Sequence, residues 1–224
     1  NNSVGGLNPY AVDAAARDGA KVVWFPTVDT VAAIKKTEHI EEGGRRPFWL
    51  DVLLSIQADG MELKPVRILD DDGKLVPEAI EVLDVIARYN MILATGHISV
   101  REAKELIKVA KERKVEKIIC THVDSQLCFW DIEDQIEYVK KYGVYMEHCS
   151  NSCTTGKVAW DVCLNQIKSI GCEHIIISTD LGQRKHKYPD EGLLDFANWM
   201  LENGISETDV RKTICENPKQ LLFG

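Results

Sequence analysis

Five short apolar runs, rich in β-branched residues and separated by longer segments, constrain the fold of this chain more than any other feature. Each run is hydrophobic at consecutive rather than alternate positions, which is typical of parallel strands covered on both faces. An alternation of such strands with helical segments predicts the α/β class, either a doubly wound sheet or a barrel. The predicted strands are residues 21–27, 91–97, 117–122, 144–148 and 174–180.

The segments between these runs carry recognisable helix ends. Ser99 and Glu102 form a capping-box pattern, which predicts a helix running towards Lys114. Pro77 is placed to begin another helix, because proline suits the first helical position. Further helices are predicted at 131–143, 158–170 and 195–202, with Ser206 capping a short last one.

Residues 41–75 depart from the alternation. This stretch is rich in glycine and proline and contains the turn Asp71-Asp72-Gly73, which predicts an excursion with a small hairpin over residues 66–75. The chain has 224 residues, of which 45% are hydrophobic, and this is enough for one sizeable core. We therefore expect a single domain over residues 1–224 that carries this excursion.

Charge and cysteine content narrow the functional class. A formal net charge of −8 argues against a nucleic-acid or anionic-membrane surface. No apolar run approaches the ~20 residues that a bilayer crossing needs. The seven cysteines are an odd number, and several lie in apolar runs where a free thiol behaves as a small hydrophobic group. The expected compartment is the reducing cytoplasm.

Four consecutive predicted strands end in polar side chains that suit a metal ion. They end at His97, at His122, at the pair Glu147-His148 and at Asp180. The carboxyl ends of parallel strands converge on the ligand site in α/β folds. Alternate strand residues face opposite ways, so only one of Glu147 and His148 is expected to face such a site.

These residue types predict a particular chemistry. Imidazole and carboxylate groups are good ligands for zinc and neighbouring divalent metals. A bound metal lowers the pKa of its water, and an aspartate beside it can take the proton. We predict His97, His122 and Asp180 as ligands, with Asp180 also catalytic.

A structural interpretation competes with this one. Each residue alone is more typical of a core or capping position, and Leu181-Gly182 after Asp180 also suits a turn. The group His148, Cys149 and Cys153 suggests a zinc knuckle, but it lacks a matching second pair.

The ordered combination of motifs resembles the amidohydrolase superfamily, in particular its phosphotriesterase-like and TatD-like branches. The residues that carry the resemblance are 94–97, 99–103, 119–122, 177–180 and the closing 210–222 with its Asn-Pro pair. Residues 4–9 and 24–27 resemble an uncharacterised subfamily of these proteins. The resemblance implies a TIM-type (β/α)8 barrel and hydrolysis at one or two divalent metal ions, with zinc the expected metal. His97 and His122 match the histidines ending the fifth and sixth strands, and Asp180 matches the aspartate ending the eighth.

Two departures from the superfamily pattern matter. The His-x-His of its first strand has no counterpart here, and only five strands are predicted, whereas a whole barrel takes ~250 residues. We therefore expect the last five βα units, with the N-terminal part missing. The segment that ends at Asp29 offers neither lysine nor glutamate, and Asp29 is the candidate substitute. Exposed sheet edges would favour a further segment or a partner, such as a homo-oligomer.

The resulting expectation is a metal-dependent hydrolase acting on a small-molecule substrate. Metal-activated water would attack an amide, ester or phosphoester bond. The alternative is a non-catalytic small-molecule-binding barrel that has lost the complete metal site. Neither nucleic acid nor membrane is an expected partner.

Overall fold

The computed structural model describes residues 1–38, 48–126, 128–184 and 186–224, which form two compact units, Asn1–Glu116 and Lys117–Gly224. Five strands alternate with helices along the chain. The strands are β1 (Val22–Trp24), β2 (Ile92–Ala94), β3 (Lys117–Cys120), β4 (Tyr145–Cys149) and β5 (Ile175–Ser178). The helices of the first unit are α1 (Pro9–Arg17), α2 (Val31–Glu38), α3 (Phe48–Ala58), α4 (Pro77–Arg88) and α5 (Val100–Glu112). Those of the second are α6 (Ile132–Tyr142), α7 (Ser150–Thr154), α8 (Trp160–Ile170), α9 (Pro189–Glu202), α10 (Glu207–Arg211) and α11 (Asn217–Phe223).

All five predicted strands are present, and they pair in parallel. In the first unit β1 pairs with β2, and in the second unit β4 lies between β3 and β5. The α/β class predicted from the sequence is confirmed. Closure into a barrel, the absence of N-terminal βα units and the single domain stay predictions.

Burial of the strands follows the prediction for β2 and β4 but not for β1. Every residue of β2 and β4 is buried. In contrast, Trp24 at the end of β1 is 53% exposed, so the expectation that this strand is covered on both faces is wrong. Continuous hydrophobicity is a property of the sequence of a strand, whereas its burial depends on which elements pack against it.

The predicted helix ends are largely confirmed. The Ser99 hydroxyl accepts from the Glu102 backbone N–H at 3.3 Å, and the Glu102 carboxylate accepts from the Ser99 N–H at 2.9 Å. Together they complete the capping box of α5, which ends at Glu112 rather than Lys114. α6 ends at Tyr142 and is capped by Gly143, whose φ of 63° is in the left-handed region that favours glycine.

Other helices differ from the prediction. α9 begins at Pro189, six residues before the predicted start, and its first turn is closed by Glu191, which accepts from the Tyr188 N–H at 3.2 Å. Ser206 caps α10 as predicted, but the chain continues through a π-helical turn, Lys212–Glu216, into α11. α1, α2 and α3 were not predicted.

The excursion is partly helical. α3 occupies its first described part, whereas residues 41–47 lie outside the described residues. The predicted hairpin is reduced to one antiparallel bridge between Leu69 and Leu75, and the Asp70 N–H donates to the Lys74 carbonyl at 2.8 Å. None of the helices in the described part of the chain has the length and apolar character that a bilayer crossing needs.

Candidate metal centre

The carboxyl ends of β3 and β5 carry unusual backbone geometry. His122 follows β3 and Asp180 follows β5, and each has a φ of 50°, in the left-handed region. A residue with a β-carbon is held in this region at a cost of about 1–3 kcal/mol, and such residues concentrate at functional sites. The two positions were chosen from sequence as polar residues at strand ends. Asn90 and Lys114 have similar φ values, so the backbone geometry alone does not identify a site, and the assignment stays a prediction.

His122 lies against Glu147 of β4. The Nε2 atom of His122 is 3.7 Å from the Oε2 atom of Glu147, and both side chains are largely buried. Oε2 accepts no hydrogen bond from the described residues. One ligand atom each from His122, Glu147 and Cys149 lies within 4.8 Å of the others. Imidazole, carboxylate and thiolate are the three ligand types that zinc takes in proteins, so this set fits a divalent metal.

Strand register explains why these groups meet. Glu147 and Cys149 are two residues apart on β4 and so share a face. Ser178 of β5 is the register partner of Cys149, and its hydroxyl donates to Oε1 of Glu147 at 2.9 Å. The Cys149 Sγ lies 2.9 Å from the same hydroxyl oxygen. Ser178 thus fixes the carboxylate with one oxygen towards β5 and the other towards His122.

The Cys149 thiol is not poised as a nucleophile. Burial raises its pKa well above the ordinary value, and the Glu147 carboxylate acts in the same direction. The thiolate, which is the reactive form, is therefore disfavoured at neutral pH. Ligation to a cation also requires the thiolate, so Cys149 would join a metal here only by losing its proton as the metal binds.

Asp180 is held by a different partner. The Nδ2 atom of Asn151 donates to Oδ2 of Asp180 at 3.1 Å, and the Asn151 backbone N–H donates to the Thr179 carbonyl. Asn151 lies in α7, directly after β4, and is buried. Asp180 itself is exposed, so its carboxylate is held by the buried Asn151 and is accessible to solvent.

His97 lies in the first unit, directly after β2. Its backbone N–H donates to the Pro26 carbonyl at 3.0 Å. The preceding Gly96 has a φ of 65°, and a β-carbon there would lie 2.3 Å from the Phe25 carbonyl oxygen. Glycine is therefore required before His97, because the segment after β1 packs directly on the backbone. That His97 shares a metal ion with His122 and Asp180 stays a prediction.

The two remaining candidates have other partners. In the first unit, the Asp29 Oδ2 accepts from the Asn2 backbone N–H at 2.7 Å. In the second unit, the Nδ1 atom of His148 is 2.9 Å from Oδ2 of Asp124 and 3.6 Å from the Cys163 Sγ. Glu147 and His148 thus contact different groups, as the alternation of a strand requires.

Sequence reasoning missed Cys149, Asn151 and Ser178. Cys149 was considered only as part of a zinc knuckle with His148 and Cys153, yet in the structure it lies in a different cluster from these two. The available signal was the two-residue spacing of Glu147 and Cys149, which places both on one face of a strand. Asn151 follows the strand end and carried no comparable signal.

A sequence-family model matches more than half of the chain. The sequence model described as "Family of unknown function (DUF6282)" matches residues 1–147. The chain belongs to this family. The match includes His97, His122 and Glu147 but ends before Asp180. No curated protein sequence matches the chain.

Solved structures show what the fold is similar to. An amidohydrolase from Pseudomonas aeruginosa has a TM-score of 0.57 at 14% identity, over 96% of this chain and 67% of that one. A phosphotriesterase homology protein from Escherichia coli, complexed with phosphate in its active site, has a TM-score of 0.49 at 18% identity, over 87% and 67%. N-acetyl-D-glucosamine-6-phosphate deacetylase from Mycobacterium smegmatis has 0.49 at 13%, over 96% and 61%. The first likeness shows a shared α/β fold with an amidohydrolase, and this chain spans about two thirds or less of each structure.

Proposed function

We propose that this chain is part of a metal-dependent hydrolase of the amidohydrolase type, acting on an amide, ester or phosphoester bond of a small molecule. The observation that carries the proposal is the pairing of His122 with Glu147. Nε2 of His122 is 3.7 Å from Oε2 of Glu147, and Oε2 accepts no hydrogen bond from the described residues. A buried carboxylate oxygen that accepts no hydrogen bond is costly, and a cation bound by both groups would remove that cost.

Within the second unit the proposed ligand set contains His122, Glu147 and Asp180; the assignment of His97 rests on the resemblance alone. Asp29 and His148 are left out, because Asn2 and Asp124 already contact their donor atoms. A divalent ion bound here would supply a water molecule of lowered pKa. Zinc is the proposed ion, in one or two copies, because imidazole nitrogen and carboxylate oxygen are among the donors that it takes in proteins.

Asp180 has the geometry of a proton acceptor in this proposal. Asn151 holds its Oδ2 at 3.1 Å, which leaves Oδ1 as the atom that receives the proton of the attacking water. Exposure of Asp180 lets that proton pass to the leaving group or to solvent. Asn151 would then act by positioning the carboxylate.

The cellular setting is part of the same proposal. All seven cysteines are free, and five of them are buried. This agrees with a reducing cytoplasm, where thiols persist without pairing. A homo-oligomer or a further segment would cover the exposed part of β1 near Trp24.

The test measures rapidly exchanging zinc in the full chain. Metal-free protein is loaded with Zn²⁺ and then mixed with a chromophoric chelator. We expect one fast-release ion in the parent chain and its loss in His122→Ala and Asp180→Ala. The matched control is His174→Ala, because His174 precedes β5 at the opposite end from Asp180. Unchanged fast release in both site variants would show that these residues do not hold the metal.

The second arm of the test measures hydrolysis. A panel of p-nitrophenyl esters, p-nitrophenyl phosphoesters and p-nitroanilides is offered to the zinc-loaded chain and to Asp180→Asn, which keeps the shape but removes the base. We expect at least a hundredfold loss of rate in Asp180→Asn, the lower end of general-base contributions. Zinc binding with no hydrolysis of any probe would favour the non-catalytic binding barrel.

A further inference from the structure

A second cluster of metal-competent groups lies in the same unit, buried behind β4. One ligand atom each from Asp124, Cys153 and Cys163 lies within 4.8 Å of the others. The three come from the loop after β3, from α7 and from α8. Sulfur and oxygen donors on three separate elements converge here without any contribution from the residues of the proposed hydrolytic site.

His148 adds a fourth donor. Its Nδ1 atom is 2.9 Å from Oδ2 of Asp124 and 3.6 Å from the sulfur of Cys163. With metal bonds of 2.0–2.3 Å, neighbouring ligands of a tetrahedral zinc ion lie about 3.3–3.8 Å apart. The contacts of His148 with Asp124 and Cys163 are therefore close to those of ligands on one ion, and Cys153 lies within 4.8 Å of both Asp124 and Cys163.

Two polar atoms in this cluster are unsatisfied. Oδ1 of Asp124 and Nε2 of His148 are buried and accept or donate no hydrogen bond among the described residues. The side chains of Asp124 and His148 are fully buried, and Cys153 and Cys163 are 3% and 0% exposed. A cation bound to Oδ1 of Asp124 would remove the cost of burying that atom. Nε2 of His148 points away from Nδ1, the atom that faces Asp124 and Cys163, so its lack of a hydrogen bond does not bear on this site.

We infer that Asp124, His148, Cys153 and Cys163 form a closed structural site for a thiophilic divalent cation of the zinc class. Four protein ligands leave no open position, which is the property that separates structural zinc sites from catalytic ones. Each thiol gives its proton to the buffer as its sulfur binds the ion, and no electron transfer is involved. The ion would join the loop after β3, β4, α7 and α8 behind the strand that carries Glu147.

The spacing of these four residues in the sequence does not match that of a zinc knuckle. The four residues lie at positions 124, 148, 153 and 163, with no Cys-x-x-Cys or His-x-x-x-His spacing. They meet only because β4 lies beside β3 and α7 follows β4 directly. Cys149, which lies between two of them in sequence, faces Ser178 instead.

The experiment uses cobalt as a spectroscopic probe of thiolate ligation. Because the cluster is sealed, the full chain is unfolded in guanidinium with a reductant and a chelator, and then refolded with Co²⁺. We expect a near-ultraviolet thiolate-to-cobalt charge-transfer band and tetrahedral visible bands. Cys153→Ser and Cys163→Ser should each weaken cobalt binding more than about a hundredfold, beyond the 10–100-fold typical of residues that only orient a ligand.

Controls separate this site from the proposed hydrolytic site. Cys149→Ser and His122→Ala should keep the charge-transfer band, and Cys172→Ser controls for loss of any cysteine. Failure of the hydrolase proposal would leave these results unchanged. The inference is overturned if the parent chain gives no such band under reducing conditions. It is also overturned if Cys149→Ser abolishes the band while Cys153→Ser retains it.

A further measurement tests the assignment even if Cys153→Ser and Cys163→Ser do not refold. The intensity of the band scales with the number of bound thiolates. In Cys149→Ser, which leaves no thiol in the other cluster, two thiolates are expected per cobalt bound in the slowly exchanging site, and an intensity matching one or none would contradict the assignment. Slow cobalt loss to a chelator, compared with the fast release expected at His122, is the corresponding kinetic result.

Discussion

The Nε2 atom of His122 lies 3.7 Å from the Oε2 atom of Glu147 across neighbouring strands β3 and β4. Glu147 is held by Ser178 through its other oxygen, so the oxygen facing His122 is fixed in place and accepts no hydrogen bond from the described residues. Two side chains at the carboxyl ends of adjacent parallel strands thus define a small polar gap in the second unit.

Replacing the charge of Glu147 should weaken metal binding without loss of the fold. Glu147→Gln keeps the shape and the contact with Ser178 but removes the negative charge facing His122. We expect the affinity for Zn²⁺ at the fast-exchanging site to fall by about tenfold or more, measured by competition with a chelator. The exposed Glu133→Gln on α6 changes net charge equally and should have no effect. Equal losses in both variants would indicate a general charge effect instead.

Gly96→Ala should destabilise the first unit. Its φ of 65° costs an alanine about 1–2 kcal/mol, and the new β-carbon would also meet the Phe25 carbonyl oxygen at 2.3 Å. Gly60→Ala is the matched control, with a φ of 83° and no atom within 4 Å of its β-carbon. We expect Gly96→Ala to lower the free energy of unfolding by at least about 2 kcal/mol more than Gly60→Ala, in denaturant titrations. Similar losses would mean that the segment after β1 moves away freely.

Asn217 should prove important for the attachment of the last helix. Its Nδ2 donates to the Cys172 carbonyl at 2.9 Å and to the Ile175 carbonyl at 2.7 Å, which ties α11 to the start of β5. Asn217→Ala leaves both carbonyls without this donor, and we expect a loss of about 2 kcal/mol or more in unfolding free energy. Asn203→Ala removes a single local bond to Trp199 and should cost about half as much. A smaller loss for Asn217 would contradict its role as the link.

The thiols should react in three classes. Cys215 is exposed, Cys172 is half-buried, and the other five are buried. In metal-free native protein we expect one fast thiol with a disulfide reagent, one slow thiol, and five that react only after unfolding. Burial raises the pKa of Cys172 to about 11, so the rate of the slow thiol should rise about tenfold per pH unit between pH 8 and 10. A slow rate independent of pH would indicate that local opening, rather than ionisation, limits the reaction.

Much of the fold could be predicted because its signals are local. Five apolar runs identified five strands, and the Ser99–Glu102 capping box fixed the start of α5. The helices that were missed had weaker or conflicting signals. α1 begins at Pro9 after the cap Asn8, which is a valid start, but Gly5 and Gly6 just before it are more typical of a loop. In α3, continuous hydrophobicity between glycine- and proline-rich stretches concealed the helical period.

The candidate site was only partly predictable, because residue type and strand end are visible in sequence whereas partners are not. His122, Glu147 and Asp180 could be named from the polar ends of three runs. Alternation along β4 also predicted that Glu147 and His148 would face different ways, but it could not say which faced the site. That choice depends on which face of the strand the helices cover.

By itself, the sequence determined the α/β class, the parallel strands and the polar residues that follow them, because periodicity and capping act over a few neighbouring residues. Only the tertiary structure decided that Glu147 meets His122, that Ser178 holds it in place, and that His148 joins Asp124 and Cys163 in the core. Each of these contacts joins residues between 15 and 31 positions apart. Strand register and helix packing bring such residues together, and no local pattern encodes them.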